Sequence, residues 1–324
     1  MSSAPGQSMS ITRSNIWYND GSVVLQSENT QFRVHWSILS QHSPFFRDLE
    51  RLPQPPNQPT ADGCPIVELS DSAENVEYLL KALYDPHFLG QTTLTLAAVG
   101  ALIQLGRKYD FQTLCESAVE RIKFENPTTL EEYDALFAFA SNGARTYTPT
   151  RITYCYGFAF AMLTLVRENN ILSALPVAYY RASLFSPRIQ LDGIQKKDSD
   201  VDGTLVSLAP LELGLCLTGR ERLLCQQYKQ EYALGFFVAS QPPRCIAPAK
   251  CGAVRKHTFD LWMDKNSVNP LYNFRSNSDW IKYFCAACYE HASKANAAGR
   301  KKSWKELPAI FDLPPWDQLK NNGV

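Results

Sequence analysis

The sequence has 324 residues, which suggests about two domains at roughly 150 residues each. Hydrophobic residues make up 45% and charged residues 20%, and this composition excludes a chain that is disordered throughout. The formal net charge is zero, but residues 241–324 carry 13 basic and 7 acidic side chains and the remainder is net negative. The C-terminal quarter is therefore interpreted as a separate basic unit, which an acidic partner or an internal anionic centre would explain.

The N-terminus and the cysteines favour a protein of the cytoplasm or nucleus. The first twelve residues, MSSAPGQSMSIT, lack the apolar core of a signal peptide. The uncharged stretch at residues 152–166 is shorter than the roughly 20 residues that span a bilayer, so a buried helix and no membrane association are expected. Nine cysteines without an export signal indicate reduced thiols.

The first half of the chain alternates strand and helix signals after a flexible tail at 1–13. A β pattern over 16–36 contains a turn or bulge at Asp20-Gly21 and a buried strand at 23–25. Prolines make 51–63 a loop, and its P-x-x-P at Pro53–Pro56 is either a spacer or a docking motif for an aromatic groove. The pattern then predicts a strand at 66–69 and helices at 71–84, 94–109 and 113–124.

The second half is predicted to be mostly helical. Residues 126–190 are interpreted as a helical region, with helices from 128 to Gly143, near 150–167 and over 171–184. The charged, glycine-bearing stretch 191–204 is interpreted as a linker. Residues 205–324 form a second helical region, with one long helix over 218–240 followed by a cysteine-bearing tail.

The segment 32–50 raises the question of catalysis. It holds His35, His42, Ser37, Ser43 and Asp48, which would supply a Ser/His/Asp set. Ser43 precedes Pro44, however, and Ser at the N-cap with Pro next is a common helix start. Ser37 is likewise interpreted as an N-cap, and His35 as a buried histidine bonded to the backbone. The chain lacks a phosphate loop, G-x-S-x-G and H-E-x-x-H, so structural roles for His35 and Ser43 are preferred.

Two stretches on either side of the proline-rich loop resemble a known family. DGSVVLQSENTQFRVHWSILSQHSPFFRDLE (20–50) and PIVELSDSAENVEYLLKALYD (65–85) resemble a BTB/POZ domain of the type abundant in fungi, over about 14–125. The resemblance implies an α+β fold, with a small β-sheet covered by helices, and a structural role for His35. Ser22 departs from many animal members, which have Asp there in a charged pocket at the dimer groove.

The resemblance also bears on function. The LTGRERL segment (217–223) and a tail with two cysteine pairs resemble the region C-terminal to the BTB domain in the fungal proteins. The implied function is a non-enzymatic interaction protein that forms a homodimer, and the apolar helices LLKALY and AAVGALIQL suit either a dimer interface or burial within one domain. The alternatives are a substrate adaptor of a cullin-type ubiquitin ligase and, from another class, a hydrolase or zinc enzyme. A nucleic-acid partner is not expected.

The cysteine tail contains the candidate metal ligands. These are Cys245 and Cys251, which five residues separate, and the C-x-x-C pair Cys285 and Cys288. Four thiolates are the number that a closed tetrahedral zinc site uses, and such a site has no open position for catalysis. The alternatives are ordinary buried cysteines or a redox pair.

Charge favours the zinc interpretation. Four thiolates on Zn²⁺ have a formal charge of −2, which nearby cations would offset. The candidate cations are Lys250, Arg255, Lys256 and Lys282, and the substitute ligands are His257 and His291. The remaining cysteines are interpreted as structural: Cys64, Cys115, Cys155, Cys216 and Cys225. The basic cluster GRKKSWK (299–305) is either a solvated turn, a nuclear import signal or a phosphate-binding patch.

Overall fold

The computed structural model describes residues 10–53, 55, 57–139, 145–195, 205–264, 267–274 and 283–321. The chain forms two compact units. The first contains the residues up to Arg121 together with Arg151–Thr153, and the second contains Ile122–Thr150 and the residues from Tyr154 onward. Parts of several predicted features lie outside the described residues: 1–9 of the tail, 196–204 of the linker, two residues of the P-x-x-P motif, and Lys282.

The first unit is built on a five-stranded sheet in the order β1-β3-β2-β5-β4. The strands are β1 (Thr12–Trp17), β2 (Val23–Ser27), β3 (Thr30–Val34), β4 (Thr60–Ala61) and β5 (Cys64–Leu69). Strand β2 is antiparallel to β3 and parallel to β5, and its first three residues are fully buried. The predicted turn is confirmed by the hydrogen bond from Gly21 N to Tyr18 O, 3.0 Å. The strands predicted at 23–25 and 66–69 are also confirmed.

In the part of the first unit that the structure describes, six helices accompany this sheet. They are α1 (Trp36–His42), α2 (Pro44–Arg51), α3 (Ala73–Tyr84), α4 (Pro86–Gly90), α5 (Leu96–Lys108) and α6 (Gln112–Glu125). The predicted helices at 71–84, 94–109 and 113–124 are therefore confirmed to within a few residues. The apolar residues of α3 and α5, such as Leu79 and Leu102, are fully buried within the single chain. Burial within one domain therefore accounts for these apolar helices, and they give no support to a dimer interface.

A buried arginine ties distant segments of the first unit together. The Arg121 guanidinium donates hydrogen bonds of 2.9–3.0 Å to the carbonyl oxygens of Leu89, Gln91, Thr92 and Arg151. Leu94 N also donates to Arg151 O, at 3.3 Å. Residues 151–153 consequently belong to the first unit although they are remote from it in sequence.

The second unit is mostly helical. Its elements are α7 (Leu130–Ala135), β6 (Phe137–Phe139), β7 (Arg145–Tyr147), α8 (Phe158–Glu168), α9 (Leu175–Ser183), α10 (Pro187–Asp192), β8 (Ile194–Gln195), β9 (Leu205–Val206), α11 (Pro210–Gln227), α12 (Pro248–Asp264) and α13 (Ala286–Ile310). The prediction of a helix reaching Gly143 is wrong, because α7 ends at Ala135 and β6 pairs antiparallel with β7. The helix predicted near 150–167 begins only at Phe158, after Gly157 in a left-handed conformation (φ 74°).

The helix predicted over 218–240 is only partly correct. Helix α11 begins earlier, with Pro210 in its first turn, and ends at Gln227. The chain then folds back on itself so closely that a Cβ on Gly235 would lie 2.2 Å from the backbone oxygen of Lys229. Only glycine fits this approach, so the turn replaces the second half of the predicted helix.

The LTGRERL segment has a packing role inside the second unit. A Cβ on Gly219 would lie 2.2 Å from the Phe311 ring, so glycine lets that ring contact the backbone of α11. The buried Arg220 donates to Ser183 O (3.3 Å), and Arg222 donates to Ile310 O (2.8 Å). Both acceptors lie at helix C-termini, where carbonyl groups lack intrahelical partners. The segment therefore fastens the ends of α9 and α13 to α11.

The basic cluster at 299–305 lies within α13, so its interpretation as a solvated turn is wrong. Arg300 is buried and donates to Leu271 O (2.9 Å) and to Asp134, and Lys302 pairs with Glu231 (2.9 Å). Trp304 is buried and donates to Thr128 O at 3.0 Å. Within the described ranges, none of the helices is both long and apolar enough to cross a membrane.

Candidate functional site

Ser43 is held by backbone groups on both sides. It is the N-cap residue of α2 and is fully buried. Its Oγ accepts from Phe46 N (3.0 Å) and donates to Tyr109 O (2.5 Å). The hydroxyl therefore caps the N-terminus of α2 and also binds the backbone of Tyr109, the residue after α5.

His35 contacts side chains, so the prediction that backbone groups bind this ring is wrong. Its Nδ1 lies 3.3 Å from the hydroxyl of Tyr84, and its Nε2 lies 3.3 Å from a carboxylate oxygen of Asp20. The backbone N–H of His35 also donates to the Tyr84 hydroxyl at 2.8 Å. Burial raises the pKa of Tyr84 to about 12, so this phenol stays protonated at neutral pH. The sequence separation of Asp20 and Tyr84 from His35 hid this cluster.

The other members of the proposed Ser/His/Asp set are placed elsewhere. Ser37 lies inside α1, whose N-cap is His35, so the prediction of an N-cap at Ser37 is wrong. Asp48 lies 3.9 Å from Arg51, and His42 is exposed in the last turn of α1. Within the described part of the chain, no hydrogen bond or ion pair joins Ser43, His35 and Asp48 to one another.

The four tail cysteines converge at the N-termini of two helices. Cys245 lies in the loop before α12, and Cys251 lies in the first turn of that helix. Cys285 is the N-cap residue of α13, and Cys288 lies in its first turn. The partial positive charge at a helix N-terminus favours the thiolate form of cysteine.

The four sulfur atoms lie close enough together to share one metal ion. All four Sγ atoms lie within 4.8 Å of one another, and the Sγ atoms of Cys245 and Cys285 are 3.8 Å apart. A tetrahedron with Zn–S distances of about 2.3 Å has edges of about 3.8 Å. A disulfide would need about 2.05 Å, and all four cysteines are free. The group predicted from sequence therefore comes together in the fold.

Backbone donors and burial shift the thiols in different directions. Cys285 N donates to the Sγ of Cys251 at 3.4 Å. The backbone N–H groups of Cys288 and Ile246 lower the pKa of the Cys285 thiol to about 6. Burial raises the pKa of Cys251 and of Cys288. The cluster therefore combines one readily ionised thiol with two buried thiols that need a strong cation to ionise.

The surroundings of the cluster are aromatic. Cys251 and Cys288 are fully buried, and Cys245 and Cys285 are half-buried. The same core contains Phe236, Phe237, Phe274 and Phe284. A set of four ionised thiols in this apolar core would be unstable without a bound cation.

The structure distinguishes among the predicted cations and substitute ligands. Lys250 is exposed, and Lys256 is exposed and pairs with Asp260 at 2.7 Å. Arg255 is buried, with 4% of its surface exposed. His257 and His291 are exposed and are not part of the four-cysteine group.

The other cysteines lie outside this group. Cys64, Cys115 and Cys216 are buried, and burial raises the pKa of Cys216 to about 12. Cys155 and Cys225 are exposed, so they are not core residues.

The comparison with known families concerns the first unit. The family model of the BTB/POZ domain matches residues 19–125. The N-terminal region is thus a BTB domain with a β-sheet and helices, followed by a mostly helical region with a cysteine cluster near the C-terminus, as the sequence predicted. BTB/POZ domains are protein–protein interaction modules. No curated protein matches the chain.

Proposed function

We propose that this chain is a non-enzymatic interaction protein that forms a homodimer through its BTB domain and presents its C-terminal helical region to other proteins. The observation that carries the proposal is the match of residues 19–125 to the BTB/POZ family together with the sheet and helices of the first unit. The Ser43 hydroxyl forms hydrogen bonds with two backbone groups, which supports a structural and not a catalytic role for the segment 32–50.

Exposed apolar side chains give the proposed self-association a testable surface. Among the described residues of the first unit they include Ile11, Phe45 and Leu52, which are 57%, 43% and 59% exposed. Phe45 lies on α2, and Leu52 is the residue immediately after that helix. Burying such side chains between two copies of the chain would stabilise a dimer.

Light scattering on the full chain tests self-association. A homodimer has twice the monomer mass of 36.5 kDa, and Leu52→Glu should raise its dissociation constant. The matched control is Leu211→Glu on α11, because Leu211 is 58% exposed but lies in the other unit. A monomer mass at every concentration would contradict the proposal, and co-purification of a cullin would instead support the ligase-adaptor alternative.

The second part of the proposal is a structural zinc ion held by Cys245, Cys251, Cys285 and Cys288. Their mutual Sγ distances support it, and the donor set fits zinc because thiolates are preferred ligands of this metal. When bound, zinc would join the segment before α12 to the start of α13. An all-cysteine site is closed to substrate, which agrees with a structural role.

Metal analysis of the full chain, purified without a chelator, tests this site. We expect close to one zinc per chain and a lower ratio in Cys288→Ser. Cys225→Ser should leave the ratio unchanged, because Cys225 is exposed on α11 and outside the cluster. Absence of bound metal from the wild-type chain would return the four cysteines to the interpretation as ordinary core residues.

The state of the cysteines supports a location in the cytoplasm or nucleus. All nine are free, which fits a reducing compartment. Neither a nucleic acid nor a membrane is part of the proposed function.

A further inference from the structure

One face of α12 carries both a cluster cysteine and a buried cation. Cys251, Arg255 and Thr258 are buried, at spacings of four and three residues, whereas Lys256 and His257 are exposed. Residues four apart on a helix are neighbours on the same face, at about 5–6 Å between their Cβ atoms. Arg255 therefore lies one helical turn beyond Cys251 on the buried side of α12.

The guanidinium of Arg255 has unsatisfied donors. Its Nη1 donates to Ala239 O at 2.6 Å. Its Nε and Nη2 are buried and have no hydrogen-bond partner among the described residues. Two carboxylates of α12 and α13 have other partners, since Asp260 pairs with Lys256 at 2.7 Å and Glu290 pairs with Lys294 at 2.6 Å. A buried cation is costly unless an anion offsets its charge.

The four-cysteine centre supplies such an anion when it holds a divalent metal. Zn²⁺ with four thiolates has a formal charge of −2, and the aromatic core around it screens charge poorly. The centre therefore needs a nearby cation, and Arg255 is a buried cation on the same helix face. Attraction between the two would offset part of the cost of burying each of them.

We propose that Arg255 is the internal counter-cation of the zinc centre and makes this site specific for a doubly negative metal–thiolate group. The assignment rests on the proposed zinc site. Arg255 would act through charge and not as a metal ligand. Four cations were predicted from sequence to offset the negative charge of the site. Among those that the structure describes, Arg255 is buried, whereas Lys250 and Lys256 are exposed.

Zinc competition against a chromophoric chelator, measured on the full chain, tests the role of the charge. Removing a group that supports metal ligands lowers metal affinity by about 10–100-fold, so we expect a loss of this size for Arg255→Met and for Arg255→Gln. Arg255→Lys keeps the charge and should bind zinc more tightly than either neutral variant. The matched control is Lys256→Met, which removes an exposed cation from the adjacent position and should change affinity by less than about twofold.

A charge-compensation cycle separates electrostatics from packing. Cys245→His replaces a thiolate with a neutral ligand and lowers the formal charge of the site from −2 to −1. Arg255→Met should then reduce zinc affinity by a clearly smaller factor than in the wild-type background. Cys285→His provides a second version of the same cycle. If neither histidine variant takes up zinc, the comparison of Arg255→Lys with Arg255→Gln decides the question by itself.

The outcomes distinguish this assignment from the proposed zinc site. No zinc in the wild-type chain would overturn both. Zinc binding that is indifferent to Arg255→Met, or equal in Arg255→Gln and Arg255→Lys, would overturn only the counter-cation role. An equal loss of affinity in the wild-type and Cys245→His backgrounds would assign Arg255 to packing and overturn the proposal.

Discussion

The BTB domain and the cysteine-bearing tail achieve burial in different ways. In the BTB domain, whole faces of α3 and α5 are aliphatic and fully buried, with Val76, Leu79, Leu80, Val99 and Leu102 at 0% exposure. The tail buries fewer aliphatic side chains and places cysteines, aromatic rings and polar groups together. Aliphatic burial therefore dominates the core of the first region, whereas the core of the second combines aromatic rings with buried polar groups and the proposed zinc ligands.

Buried polar side chains hold the irregular segments of the tail. Asn296 accepts from Phe274 N and donates to the carbonyl oxygens of Ala233 and Tyr272, all at 2.9 Å. Gln227 similarly donates to Ser267 O and accepts from Asn269 N. Segments without helix or strand partners must satisfy their backbone groups in this way when they are buried. Such contacts are directional, so the tail should tolerate substitution less evenly than the BTB domain.

Metal removal should produce the largest difference between the two regions. Structural zinc contributes on the order of 10 kcal/mol to the folding of small zinc domains, so chelation should make residues 241–321 sensitive to protease. The BTB domain contains none of the four cysteines and should stay resistant. Mass spectrometry of limited digests measures both regions in one sample. If the tail resists protease equally with and without chelator, the proposed difference in how the two regions are stabilised is wrong.

Leu102→Ala should destabilise the BTB domain and leave the tail unaffected, the reverse of the effect of metal removal. Leu102 is fully buried on α5, and truncating such a leucine costs about 2–5 kcal/mol because a cavity remains. The BTB domain should then unfold at lower urea concentration, while the zinc content of the tail is unchanged. Leu52→Ala is the control at an exposed position of the same unit, with an expected change within about 0.5 kcal/mol. A loss of zinc in Leu102→Ala would mean that the two regions fold as one.

Ser43→Ala should have the smallest effect, about 1–2 kcal/mol, because it removes a helix N-cap and a buried hydrogen bond to Tyr109 O. Ser37→Ala is the matched control, since Ser37 is exposed inside α1 and should cost almost nothing. Urea unfolding measures both. Equal losses would contradict the assigned caps, and labelling of Ser43 by a fluorophosphonate probe would indicate a nucleophile and not a cap.

The BTB domain could be predicted from sequence because local signals agree with tertiary burial. Short apolar runs marked β2 and β5, and apolar residues spaced three and four apart marked α3. Ser43 before Pro44 located the start of α2. The placement of His35 against Asp20 and Tyr84 was missed because it depends on how the end of β3 meets the end of α3.

The second unit was harder to predict because its chain reversals depend on long-range contacts. The apolar run at 136–139 suits either a helix or a strand, and pairing with β7 decides for a strand. Pro210 marks the start of α11, which was predicted too late in the chain. The helix ends at Gln227, and the close contact of Gly235 with the Lys229 backbone, which sequence does not reveal, forms the reversal that follows. The four cysteines could be grouped by spacing, but burial alone separates Arg255 from the lysines beside it.

The contacts of Arg121 make the first unit discontinuous in the chain. Residues 151–153 return to this unit after the excursion through residues 122–150, and they supply a hydrogen-bond acceptor to Arg121 and a bridge to Leu94. A fragment that ends at residue 125 therefore lacks part of its own unit. Conversely, a backbone cut at a residue between 122 and 150 in the intact chain would leave residues 151–153 available to the first unit. Truncation at residue 125 and cleavage of the intact chain are therefore different experiments, because only truncation removes the acceptor of Arg121 at Arg151 O.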